Sequence, residues 1–114
     1  IYPGYISTDG DLIKTSLEYI HKNYREKITL SMLAEQVGAS APHLSYLFEK
    51  VLNIRPIDYL IDYRIKQAIE LLQRPGANSV SQIAKQVGYS DAYYFSRVFK
   101  KRTGFAPSVI KNRE

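Results

Sequence analysis

Tyr93, Ser96, Arg97 and Lys100 are the side chains of this sequence best suited to act on a partner. At 100° per residue they fall on one side of a helix, while Phe95, Val98 and Phe99 fall on the other. Arg97 carries a planar fork of donors that matches the O6 and N7 edge of guanine, a pairing worth about 1–3 kcal/mol of discrimination. Tyr93 and Ser96 bear hydroxyls, which both donate and accept and therefore read a base edge less sharply. Lys100, Lys101 and Arg102 continue the same helix, and three neighbouring cations suit phosphates, where they set affinity and salt dependence rather than sequence preference. This is the chemistry of recognition, not of bond making.

Nothing else in the chain competes with it. There is no cysteine, which excludes disulfides and thiolate metal sites. The two histidines, His21 and His43, have no metal-ligand spacing, so no metal and no cofactor are expected. No Ser/His/Asp set or Gly-rich phosphate loop is visible, and the chain is not expected to be an enzyme. No apolar run approaches the roughly 20 residues of a membrane span, so no membrane partner is expected. The chain does not begin with Met and no signal peptide is visible, which suggests a fragment or processed form.

The 114 residues carry a net charge of +5, unevenly spread. Residues 1–73 hold 8 Lys/Arg against 9 Asp/Glu, a net of −1, and residues 74–114 hold 8 against 2, a net of +6. A basic half beside a near-neutral half points to an anionic partner at one end.

The helix with the cationic face sits in a recognisable frame. Val80, Ile83, Ala84 and Val87 form one apolar stripe of a preceding short helix. Gly88 ends that helix with positive φ at little cost, and Ser90 is placed to cap the next one. Helix, glycine turn, then helix with a polar outer face is a helix-turn-helix, its second helix suited to a DNA major groove. The same pattern stands earlier in the chain. Leu30-Ser31-x-x-Ala34-x-Gln36-Val37-Gly38-x-Ser40 matches Val80-Ser81-x-x-Ala84-x-Gln86-Val87-Gly88-x-Ser90 at an offset of 50, and after one extra residue Ser45, Phe48, Lys50 and Pro56 match Ser96, Phe99, Lys101 and Pro107 at 51. Such an internal duplication is far more specific than one copy. In the first copy Thr29 caps a helix over 30–37, and Ser40 caps another over 41–52 with Pro42 in its first turn. Leu44, Leu47, Phe48 and Val51 are its expected buried side, and Pro42, Ser45, Tyr46 and Glu49 its outer side.

The expected organisation is all-α. A flexible tail covers 1–10, with a helix starting at Asp9 or Asp11 and running to about Tyr24. A first helix-turn-helix subdomain covers 11–55, a linker helix 56–73 and a second subdomain 74–114, with a basic end frayed after Lys111. Seventeen residues at ~1.5 Å each make the linker helix a rod of roughly 25 Å. That would set two recognition helices about 34 Å apart, one turn of B-DNA, for entry into successive major grooves.

The motif Ile83-Ala84-x-x-Val87-Gly88-Tyr89-x-Asp91-x-x-Tyr94-Phe95-Ser96-Arg97-x-Phe99-Lys100-Lys101-x-x-Gly104-x-x-Pro107, with Tyr59-Leu60-x-x-x-Arg64-x-x-x-Ala68-x-x-Leu71-Leu72 before it, resembles the DNA-binding domain of AraC/XylS-type bacterial transcription regulators over about residues 10–111. The resemblance implies seven helices in two helix-turn-helix subdomains and a cytoplasmic regulator that binds double-stranded DNA. It also implies an activator role with RNA polymerase as a further partner, and a separate N-terminal sensing or dimerising domain. It assigns base contacts to Pro42, Ser45 and Tyr46 in the first copy and to Ala92, Tyr93, Ser96 and Arg97 in the second. Pro42 and Ala92 cannot hydrogen-bond a base through their side chains, but can touch a thymine methyl.

Phosphate contacts are expected from Ser40, Lys50, Ser90, Lys100, Lys101 and Arg102. Glu49 stands where the second copy has Lys100, so the second copy is expected to supply most of the electrostatic binding. Arg64 falls in the apolar stripe of the linker helix. There it is expected to form a structural salt bridge, with Asp91 or Glu35 as candidates, rather than a DNA contact. The competing reading is a helical protein-interaction module that kept the fold but lost base reading, which the charge split and Arg97 oppose.

Overall fold

The computed structural model describes residues 8–111 of the chain. Among them it forms seven α-helices: α1 (Asp9–Asn23), α2 (Leu30–Val37), α3 (Ala41–Leu52), α4 (Pro56–Leu72), α5 (Val80–Gln86), α6 (Ala92–Thr103) and α7 (Pro107–Lys111). Residues 1–7 of the expected tail and 112–114 of the expected basic end lie outside the described residues.

Helix boundaries follow local chemistry. The Thr29 hydroxyl accepts from the Met32 N–H, satisfying one of the orphan donors at the start of α2. Gly38 then closes α2 in the left-handed region at φ 73°, where a side chain would be strained. Ser40 caps α3 by accepting from the His43 N–H, and Pro42 occupies its first turn, where no N–H is needed. Ser79 and Gln82 form a reciprocal capping box at the start of α5.

The described residues divide into two compact units. One comprises α1, α2, α3 and the first turn of α4, residues 28–60 with α1; the other comprises residues 24–27 and everything from Ile61 onward. In the first unit α1, α2 and α3 pack on one another around Ile13, Ile20, Leu33, Leu44, Leu47 and Phe48. Ala34 is buried on α2, where a small side chain lets helices cross closely. Val51 departs from the expected stripe of α3: it is 51 % exposed. It lies in the last turn, where the chain bends away through Asn53 at φ 58° before covering it. In the second unit α5, α6 and α7 pack together around Ile83, Ala84, Val87, Phe95, Phe99 and Ile110, with Ile65, Ala68 and Leu72 of α4 also buried.

The contrast within α3 is measurable. Leu47→Ala should cost about 2–5 kcal/mol by urea unfolding, whereas Val51→Ala, at a half-exposed position, should cost well under about 1 kcal/mol. A large loss at Val51 would contradict its exposure.

Candidate nucleic-acid interface

In α6, burial splits the helix along its length. Phe95 and Phe99 are fully buried, their rings 5.6 Å apart, and Tyr89 packs on Phe95 at 5.5 Å. The opposite side carries Tyr93, Arg97, Lys100 and Lys101, all exposed, with Ser96 half-buried between them and Ala92 half-buried at the start. Burying two aromatic rings on one side fixes how α6 rolls on its unit, and so fixes which residues face outward. Tyr93 stands 72 % exposed, and the Arg97 guanidinium rests over its ring at 5.9 Å from the centroid. Ser96, Arg97, Lys100 and Lys101 share a shallow open groove of about 500 Å³ with Ala106 from the loop before α7.

That loop is fixed from within. The Thr103 hydroxyl lies 2.9 Å from the Phe99 carbonyl and accepts from the Phe105 N–H at 3.1 Å, while Gly104 takes the left-handed conformation. Arg102, the third cation of the last turn, is engaged by a surface ion pair of the protein itself, its guanidinium pairing with the Asp62 carboxylate of α4. Lys100 and Lys101 are therefore the last-turn cations that face solvent most freely.

The first copy repeats the design with different charges. On α3 Leu44, Leu47 and Phe48 are buried, Pro42, Tyr46 and Glu49 are exposed, and Ser45 is half-buried. Tyr46 is 58 % exposed, and the Lys50 ammonium lies 5.8 Å from its ring centroid. Tyr46–Lys50 and Tyr93–Arg97 are thus the same i, i+4 pair of an aromatic ring and a cation on both outer faces. Sequence reasoning chose these residues but missed the pairing, although the spacing of four places such side chains over one another.

The approach to α6 differs from expectation. Asp91, not Ser90, is its N-cap: one carboxylate oxygen accepts from the Tyr93 N–H at 2.9 Å and from the Tyr94 N–H at 3.4 Å. The extra residue of the second copy lies between Gly88 and α6, so the position equivalent to Ser40 moves by one, from Ser90 to Asp91. The Ser90 hydroxyl is left exposed.

Arg64 also departs from expectation. It forms no bridge to Asp91, which is committed to the cap, nor to Glu35, which is exposed on α2. Its Nε donates to the Tyr24 carbonyl at 2.7 Å and its Nη2 to the Glu26 carbonyl at 2.8 Å, so backbone oxygens take the role assigned to a carboxylate. Its guanidinium lies over the Tyr89 ring at 5.3 Å from the centroid. Gly88 closes over it at φ 105°, and a Cβ there would meet Arg64 Nε and the Tyr24 carbonyl at 3.0 Å each. Burial pushes the Tyr89 phenol above the ordinary tyrosine range, against the opposing pull of the Arg64 guanidinium.

His21 meets the Tyr59 hydroxyl at 2.7 Å, and His43 is exposed on α3. Among the described residues no group of three or more His, Cys, Asp or Glu could hold a metal ion, and no helix is long and apolar enough to cross a membrane.

A family model described as a helix-turn-helix domain matches residues 33–113. The chain is 38% identical over 110 residues to the HTH-type transcriptional regulator YdiP of Escherichia coli (strain K12), covering 96% of this chain and 36% of that protein. Among solved structures it resembles the C-terminal domain of AraT, a response regulator from Geobacillus stearothermophilus, at 31% identity and a TM-score of 0.85, covering 90% of this chain and 85% of that one. It also resembles the C-terminal domain of the two-component response regulator yesN from Fusobacterium nucleatum, at 32% identity and a TM-score of 0.82, covering 88% and 97% of the two chains. The chain spans about a third of the length of the first two curated relatives and about half of the third.

The cap assignment has a direct check. Asp91→Ala should lower stability by about 1 kcal/mol in chemical denaturation, and Ser90→Ala should leave it within about 0.5 kcal/mol. The reverse order would return the cap to Ser90.

Proposed function

The chain belongs to the helix-turn-helix domain family, in its AraC/XylS form, and from that premise we propose that it binds duplex DNA sequence-specifically through α3 and α6. One observation carries this reading: α6 buries Phe95 and Phe99 completely and displays Tyr93, Arg97, Lys100 and Lys101 together on the other side. Laid in a major groove, such a face offers a guanidinium to a base edge and ammonium groups to the flanking phosphates.

The roles divide by chemistry. Arg97 pairs with a guanine, and the Tyr93 ring beneath it limits its freedom before DNA arrives, which reduces the ordering cost of binding. Ser96 and Tyr93 add hydroxyl contacts, and Ala92 touches a thymine methyl. On α3, Ser45 and Tyr46 offer hydroxyls and Pro42 an apolar surface. Lys50, Lys100 and Lys101 neutralise phosphates, and the Ser40 and Ser90 hydroxyls donate to them. Ser40 can do so while capping α3, because the cap uses a lone pair and leaves the hydroxyl proton free. Arg102 adds less than the two lysines, since Asp62 already compensates its charge.

The two recognition helices read successive major-groove segments of an asymmetric site, with α4 as the linker between subdomains 11–55 and 74–114. The whole protein is a cytoplasmic regulator in which this domain is joined to a sensing or dimerising part. It acts as an activator in contact with RNA polymerase. No catalysis, metal or cofactor enters this function.

Selecting bound sequences from a random duplex pool, then titrating the winner at several salt concentrations, tests the reading. Arg97→Ala should lose about 1–3 kcal/mol of discrimination at one base pair. Lys100→Ala and Lys101→Ala should each reduce the salt slope by about 1 while keeping the preferred sequence. Tyr46→Ala should change the slope least. A pool that shows no enrichment would defeat the proposal, and a larger slope loss for Tyr46→Ala than for the lysines would defeat the assignment of charge to the second copy.

A further inference from the structure

Arg64 touches none of the residues assigned to DNA, yet two hydrogen bonds and a ring contact hold its guanidinium in place. Its guanidinium touches the turn before α6 at two places: it lies over the Tyr89 ring and sits under Gly88, where a Cβ would crowd Arg64 Nε at 3.0 Å. It also donates to the carbonyls of Tyr24 and Glu26. Tyr89 in turn packs on Phe95, the first buried ring of α6, and on Tyr94 at 6.0 Å. A short chain of direct contacts therefore runs from the loop at 24–27 through Arg64 and Tyr89 into the first turn of α6, the turn that carries Ala92 and Tyr93.

We infer that Arg64 is a positioning residue for base reading: it sets how α6 enters the groove by fixing the Gly88–Tyr89 turn. This rests on the DNA-reading function proposed above and adds to it a residue that meets no DNA atom. The position of the Tyr89 ring supports it: the Arg64 guanidinium lies over one part of it and Phe95 packs against another. A planar fork is required, because an ammonium cannot donate along two fixed directions to two carbonyls while stacking on a ring.

A merely structural arginine and a positioning one predict different data. If Arg64 only stabilises the fold, its loss reduces the folded fraction, and specific and non-specific binding fall together, leaving their ratio unchanged. If it positions α6, the ratio itself falls, because phosphate contacts tolerate a small tilt and base-edge contacts do not.

The experiment measures affinity for the selected duplex and for a scrambled one, each across a salt series, with wild type, Arg64→Lys, Arg64→Met and Tyr89→Leu. The ratio should fall about tenfold for Arg64→Met, the size of one lost base contact, with the salt slope unchanged. Arg64→Lys should lie between it and wild type, and Tyr89→Leu, which keeps the carbonyl bonds, should lose less than Arg64→Met. Should Arg64→Met not fold, a lowered ratio at constant slope in the other two variants gives the same support. An unchanged ratio in Arg64→Lys and Tyr89→Leu overturns the inference, as does a slope reduced by about 1, which would make Arg64 a phosphate contact. Absence of any preference in wild type would overturn the proposed function itself, and this inference with it.

Discussion

A half-buried guanidinium on an apolar helix side must find acceptors, and the way Arg64 finds them organises the second unit. Placed on a helix side otherwise filled by Ile65, Ala68 and Leu72, it cannot leave its charge uncompensated. The carbonyls of Tyr24 and Glu26 supply what is needed, and hydrogen bonds from a charged donor are worth about 1.5–3 kcal/mol each. Those two bonds explain why residues 24–27 belong with the later part of the chain although they lie between α1 and α2. They also explain why glycine suits position 88: a Cβ there would crowd Arg64 Nε and the Tyr24 carbonyl at 3.0 Å each, and a φ of 105° strains any side-chain-bearing residue.

The two copies of the helix-turn-helix share a buried design and differ outside it. Phe48 and Phe99 occupy equivalent fully buried positions, and Ala34 and Ala84 equivalent crossings. On the outer faces a ring with a cation one turn later is common to both, but Glu49 opposes the first pair while Lys100 extends the second. The core constrains residue type through packing at near-crystalline density. The solvent side carries no such constraint and is free to diverge with the partner it meets. Charge is therefore the clearest difference between the copies.

The single inserted residue of the second copy has consequences beyond its length. It shifts the cap from serine to aspartate, so that a carboxylate, which also suits the positive end of the helix dipole, starts α6. The longer turn also contains Tyr89, buried between Arg64 and Phe95. One residue thus joins the recognition helix to a network that has no counterpart in the shorter turn, where Gly38 is followed directly by Ala39 and Ser40.

The amino-acid order alone determined the helices and their outward faces, because both follow from local rules. Apolar spacing of three and four, a hydroxyl before the first turn and a glycine after the last act over a few residues: Thr29 and Gly38 bound α2, and Ser40 starts α3. The outward positions of Tyr46, Tyr93, Arg97 and Lys100 follow from the same period once Phe48, Phe95 and Phe99 are inside. Three things were decided only by tertiary structure. Val51 shares the apolar spacing of α3 yet stays half-exposed, since burial needs a packed neighbour and spacing alone does not supply one. Asp91 displaced Ser90 because an insertion can be counted in sequence but not located within a turn. Arg64 chose carbonyls over carboxylates because backbone acceptors have no residue-type signature: any residue carries one, and only the folded path of the chain brings those of Tyr24 and Glu26 within 2.8 Å of the guanidinium.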